Sequence, residues 1–318
     1  MTSVFGTASS GTGYDVVCVG ESMALVVPDP PRPLCEGGTT RLDVAGAESN
    51  VAMNLAALGL RVAWQSRVGA DPLGDLLTAR IGATGVDVSL VEVDPIAPTG
   101  VFFKDPGPGG TTVHYYRRGS AAAAMDRSLW RTPELTGSTV LHLSGITAAL
   151  SEACADLVSY ALAERPVSGA MISFDVNFRP ALWPVRTAGP VLAGLADQAD
   201  LVLVGLDEAA TLWGTRHPDE VRERLPGPGT LVVKDGSVGA TSYGPGGSTF
   251  EPAPVVEVVE PVGAGDAFAA GYLYGLVRDL PERARLRLGH LVAAAALRAV
   301  GDLGELPPDT LVQVATRT

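Results

Sequence analysis

Glu260-Pro261-Val262-Gly263-Ala264-Gly265-Asp266-Ala267-Phe268 sets two glycines and a small residue between an apolar run and an apolar, helix-forming segment. Helix starts expose backbone amides that have no partner within the helix, and the positive end of the helix dipole adds to their pull on an anion. Glycines let a phosphate approach such a chain closely. A carboxylate beside that anion disfavours binding unless it has a task of its own. For Asp266 the task would be to take the proton of an attacking hydroxyl during phosphoryl transfer. Read in isolation, the segment equally allows a glycine-rich turn with Asp266 as a simple helix cap. The rest of the chain has to decide.

Working outward, β-rich runs alternate with amphipathic segments. Strand-like runs cover 15–19, 62–66, 140–143, 171–175, 201–204, 230–234 and 255–259. Helical spacing predicts helices over 50–58, 75–84, 151–163, 191–198, 267–277 and 286–300. Continuous apolar strands separated by helices suit a parallel sheet covered on both faces. The fold class is therefore α/β, with a doubly wound, mainly parallel central sheet flanked by helices. Residues 101–104 and 111–118 break the pattern: they read as a hairpin around a Gly- and Pro-rich turn at 106–110, with turn-rich sequence again at 243–248. The domain organisation expected is a flexible tail over 1–13, then a single domain over 14–318 carrying a small β-sheet lid built from about 22–46 and 98–118.

Composition narrows the partners. The chain has 318 residues, 46% hydrophobic and 18% charged, which excludes disorder and fibrous repeats. A formal net charge of -12 opposes phosphate backbones and anionic membranes, so neither nucleic acid nor membrane is expected as a partner. Cys18, Cys35 and Cys154 are too few and too scattered for a disulfide framework or a zinc set. With no signal-like start and no long apolar run, the expected location is the cytoplasm. Gly6 to Thr12 mimics P-loop glycine spacing, but Thr12 stands where Lys is required and no strand precedes it. Gly263-Ala264-Gly265 begins like a dinucleotide fingerprint, but its third glycine is misplaced and it lies far from a first βαβ unit.

A second segment, Ala45-Gly46-Ala47-Glu48-Ser49-Asn50-Val51-Ala52, again puts small residues just before a helix. Gly46 to Leu58 followed by Arg67 to Gly74, together with Gly263-Ala264-Gly265-Asp266 near the end, resembles the two signatures of the ribokinase-like (PfkB) carbohydrate kinases. The resemblance implies a ribokinase-like fold with a β lid that often dimerises, and ATP with Mg²⁺ as cofactors. It makes Asp266 the catalytic base and the amides of Gly263, Ala264 and Gly265 the anion hole. Gly46-Ala47-Glu48, Tyr115-Tyr116-Arg117, Asp175 to Arg179 and Gly301-Asp302 look like the 2-keto-3-deoxygluconate kinase branch. In that branch the positions matching Gly46, Ala47, Asn50, Phe102, Tyr115, Arg117 and Arg179 surround the sugar acid. Two arginines suit a carboxylate, because a protein this acidic needs local guanidinium groups to hold one. Lys234, Gly236, Ser237 and Gly239 resemble the family's nucleotide loop, with His290 where relatives often carry Asn near adenine.

There are departures from the pattern. Phe102 replaces a frequent Tyr, Glu260 a usual Asp and Gly205 a usual Asn, while Glu208 remains available to order water around Mg²⁺. A monovalent-cation requirement is left open. The expected reaction is ATP-dependent phosphorylation of a sugar-acid hydroxyl, 2-keto-3-deoxygluconate to its 6-phosphate, in a homodimer joined through the lid. The alternatives are a kinase for a neutral sugar such as fructose or ribose, and a non-catalytic sugar-binding protein of the same fold.

Overall fold

The computed structural model describes residues 13–259 and 262–299. In chain order the elements are β1 (Val16–Val19), β2 (Met23–Pro28), β3 (Thr40–Ala45), α1 (Ala47–Ala57), β4 (Val62–Gly69), α2 (Pro72–Gly82), β5 (Val91–Asp94), β6 (Val101–Gly107) and β7 (Gly110–Tyr116). Next come β8 (Val140–Ser144), α3 (Gly145–Leu150), α4 (Glu152–Glu164), β9 (Met171–Asp175), α5 (Val185–Ala196), β10 (Leu201–Gly205), α6 (Leu206–Trp213) and α7 (Pro218–Arg224). The described chain finishes with β11 (Thr230–Asp235), β12 (Gly239–Gly244), β13 (Gly247–Pro252), α8 (Ala264–Val277) and α9 (Glu282–Arg298).

The described strands form a nine-stranded sheet in the order β13-β12-β11-β10-β9-β8-β1-β4-β5, parallel from β11 to β5, with the β12–β13 hairpin antiparallel at one edge. Strand residues alternate between two cores. Val17, Val19, Val202 and Val204 face α4, α5, α6 and α7, while Val16, Cys18, Leu201 and Leu203 face α1, α2, α8 and α9. Burying both faces of the sheet is what makes its strands read as unbroken apolar runs. A second, four-stranded sheet in the order β3-β2-β6-β7 is the lid, and it springs from the carboxyl end of β1. Among the described residues no helix is long and apolar enough to cross a membrane.

The structure corrects several boundaries. Residues 253–259 form no strand, and Val255, Val258 and Val259 are exposed. The turn-rich stretch at 243–248 does hold a turn, at 245–246, but the strands β12 and β13 on either side of it are not legible in the sequence, because they are short and rich in Ser, Thr and Gly, with little apolar alternation. The lid hairpin turns more tightly than its Gly and Pro content suggests, since pairing continues to Gly107 opposite Gly110. All the expected helices except the one over 151–163 start earlier than their apolar periodicity indicates, and for α2 the first turn is set by a cap. The Asp71 carboxylate accepts the amides of Leu73 (3.0 Å) and Gly74 (2.9 Å), which starts α2 at Pro72. The 1–12 tail, Glu260 and Gly301-Asp302 lie outside the described residues.

Candidate active site

Two helix starts meet above the carboxyl ends of the strands, where open α/β sheets bind their ligands. Gly263 caps α8 in the left-handed region at φ 81°, a conformation that favours glycine. The first helical bond runs from the Ala267 amide to the Gly263 carbonyl at 2.9 Å, so the amides of Ala264 and Gly265 have no acceptor within the helix. Asp266 sits in that first turn and is 9% exposed. Asn50 on α1 donates its side-chain amide to Asp266 Oδ2 at 3.0 Å, and Asn177 donates to Oδ1 at 3.5 Å. Two side-chain amides thus fix the plane of the carboxylate without neutralising it.

Asn177 itself has φ 39°, a left-handed conformation that Asn tolerates better than most residues. It lies in the loop after β9, which also carries Arg179, while Asp175 ends the strand itself. Lys234, at the end of β11, donates to Asp175 Oδ2 at 2.9 Å. Its Nζ lies 3.7 Å from where a Cβ on Gly265 would stand, which puts the ammonium directly over the start of α8. Burial works against that charge, but Asp175, Glu208 and Asp266 outweigh it and hold the Lys234 pKa above its ordinary value. The pKa of Glu208 is raised by burial and then by Asp175. Its Oε2 accepts the Gly205 amide at 2.9 Å and its Oε1 lies 3.8 Å from Arg179. A cation and three carboxylates thus lie around the glycine turn: the carboxylates offer proton acceptors, while Lys234 and the first amides of α8 are the groups that draw an anion against their charge.

The residues expected to meet a sugar gather at the lid. Phe102 on β6 stacks on Tyr115 of β7, ring centroids 5.4 Å apart, and the Arg117 guanidinium lies 5.7 Å from the Tyr115 ring centre. Arg117 is ion-paired with Glu21, in the link between β1 and β2. Gly46 caps α1 against that link: a Cβ there would come within 2.2 Å of the Glu21 carbonyl oxygen. Ala47 occupies the first position of the same helix.

The nucleotide-side candidates are more dispersed. Gly236 (φ 46°) and Ser237 form the β11–β12 turn, and Gly239 packs against the Glu251 backbone. His290 is 7% exposed, hydrogen-bonds the Glu251 carbonyl at 3.0 Å and meets Phe268 edge-on. The Glu251 carbonyl thus engages one of its ring nitrogens.

A model of the pfkB family of carbohydrate kinases matches residues 14–308. The chain belongs to that family. Among relatives, a 2-dehydro-3-deoxygluconokinase from Bacillus subtilis (strain 168) is 34% identical over 299 residues, spanning 92% of this chain and 92% of that protein. A 2-dehydro-3-deoxygluconokinase from Thermoproteus tenax is also 34% identical over 299 residues, spanning 92% of this chain and 91% of its own. The crystal structure of a putative ribokinase II from E. coli in complex with ATP and Mg²⁺ has a TM-score of 0.83 at 22% identity, over 95% of this chain and 97% of that one. This pfkB kinase therefore acts on a carbohydrate, with ATP as its family's phosphoryl donor.

Reasoning from sequence singled out Asp266, Asn50 and Lys234, which the fold brings to one point. It passed over Asn177 and Asp175 as individual contributors, although they lie at and just after the end of a buried strand, in the segment that carries Arg179. It also gave no role to Glu21. The available signal was position: Glu21 directly follows the glycine that ends the first strand, again at the carboxyl edge of the sheet.

Proposed function

We propose that this kinase transfers the γ-phosphoryl group of ATP to the 6-hydroxyl of 2-keto-3-deoxygluconate, the sugar acid also called 2-dehydro-3-deoxygluconate. The observation that carries the reading is the Asp266 carboxylate, held by Asn50 and Asn177 in the first turn of α8 with the Lys234 ammonium above Gly265. Asp266 accepts the hydroxyl proton as the sugar oxygen forms its bond to phosphorus, and the bond to the β-phosphate oxygen breaks to release ADP. The amides of Gly263, Ala264 and Gly265 and the Lys234 cation stabilise charge on the group in transfer. Gly236, Ser237 and Gly239 line the nucleotide side, with His290 behind them.

Mg²⁺, when bound, would supply neutralisation of the phosphate charge. Glu208 fits a water-mediated hold on it, since its carboxylate is tied to the Gly205 amide through one oxygen and belongs to the acidic group around Lys234. Gly46, Ala47, Asn50, Phe102, Tyr115 and Arg117 enclose the sugar under the lid, and Arg179 meets its carboxylate. The two 2-dehydro-3-deoxygluconokinase relatives support the substrate assignment.

A coupled ATP-turnover assay with 2-keto-3-deoxygluconate, gluconate, fructose and ribose tests it. We expect kcat/KM for 2-keto-3-deoxygluconate to exceed that for any neutral sugar by at least about 100-fold. Fructose or ribose turned over as efficiently would replace the sugar-acid assignment with a neutral-sugar one.

A further inference from the structure

Arg117 is not the unopposed cation that its sequence suggests. Its side chain is 11% exposed and is ion-paired with Glu21, whose side chain is fully buried. The second Glu21 oxygen accepts the Ser120 hydroxyl at 2.8 Å. Two glycines make room for the pair: a Cβ on Gly100 would stand 2.9 Å from Glu21 Oε1, and one on Gly46 would strike the Glu21 carbonyl. Glu48, also fully buried, lies within electrostatic reach of Arg117, while its own hydrogen bonds come from the hydroxyls of Ser144 (2.6 Å) and Thr147 (2.7 Å). A guanidinium carries five N–H donors in a rigid fork, so a carboxylate on one edge leaves donors on the other. Such a pair fixes direction strongly and contributes little net charge.

We propose that Glu21 is the positioning residue for Arg117, and that the pair offers oriented hydrogen-bond donors to the sugar without net charge. Discrimination between acid and neutral sugars then falls to Arg179, whose side chain is 45% exposed and whose nearest carboxylate, Glu208, is 3.8 Å away. The inference rests on the reading that this cleft binds a sugar. It also departs from the sequence expectation that both arginines serve the carboxylate.

The test is a double-mutant cycle on whichever sugar of the panel the wild type uses best, with acid and neutral sugars also measured as competitive inhibitors. E21A should raise KM at least about tenfold while kcat stays within about threefold, and E21A/R117A should be no worse than R117A, because the two residues act as one unit. R117A should weaken acid and neutral sugars by the same factor within about twofold, whereas R179A should weaken acids at least about tenfold more than neutrals. E21Q keeps the shape, removes the cancelling charge and should shift preference toward acids by about fivefold. Additive losses in E21A/R117A, an acid-selective loss in R117A, or an unchanged preference in E21Q would each overturn the proposal, and the last two decide it even if E21A does not fold. If the best sugar is neutral, the sugar-acid assignment fails while the cycle still reports on the Glu21–Arg117 unit.

Discussion

Asp266 is held by two amides, from Asn50 and Asn177, that cannot take up its proton, so the geometry keeps the carboxylate oriented and available as a base. Asp266→Asn preserves the size of the side chain and removes the proton acceptor. We expect kcat to fall at least about 100-fold with the sugar KM changed by less than about threefold, measured in the coupled assay. Near-normal turnover would remove the base from the mechanism. A second residue-scale effect concerns stability. His142 on β8 is buried against Ser173, with Nδ1 3.1 Å from Oγ, and burial pushes its pKa down to about 4 from an ordinary 6.5. The unfolded chain therefore binds a proton that the folded chain refuses. The contribution is full above pH 6.5 and is lost as pH falls toward 4, amounting to about 2 kcal/mol by pH 5. Urea unfolding at pH 7 and pH 5 should show that loss in the wild type and a flatter response in His142→Gln; parallel responses would mean another group carries it.

Among the elements, α8 is the pivot, since its first turn holds the proposed base Asp266 and its body is core. Ala267 through Gly275 are all buried, which explains why its sequence reads apolar on every face. It crosses α9 so closely that a Cβ on Gly271 would stand 2.4 Å from the Leu288 carbonyl oxygen. Gly271→Ala should therefore destabilise the fold by about 1–3 kcal/mol through overpacking. Gly194→Ala, in α5 with open space around it, should instead stabilise by about 0.5–1 kcal/mol. Thermal unfolding of the two variants compares them directly, and equal shifts would show that the close crossing of α8 and α9 relaxes at no cost. The start of α8 was legible as glycine chemistry, whereas its true beginning at Ala264 was not, because the cap residue Gly263 carries no apolar signal.

At the scale of the molecule, the lid is tied to the core at both of its roots. The Glu21–Arg117 pair joins the link before β2 to the residue after β7, and Thr99 accepts the Gly69 amide through Oγ1 (2.9 Å) while donating its own amide to Asp71 (2.8 Å). Strand register places Val26, Leu42, Phe103 and Tyr116 on one lid face, with Leu42 43% and Tyr116 66% exposed. An apolar face of this kind on an open sheet suits pairing with a second copy. Sedimentation should show a dimer, and Leu42→Asp with Tyr116→Asp should yield folded monomers; a monomeric wild type would end that reading. Apolar strand runs, helix periodicity and the glycine segment before Asp266 were fixed by local chemistry, so the α/β class, the lid segments and the helix-start site could be read from the chain itself. The β12–β13 hairpin could not, because β12 holds its place by pairing with β11 and β13 by pairing with β12, with little apolar pattern of their own. Nor could the partners of Arg117, Lys234 and Asp266. Each is joined to residues far away in sequence, and only the packing of α1 beside α8 and of the lid on β1 decides whether a charge there is spent on a neighbour or kept for a ligand.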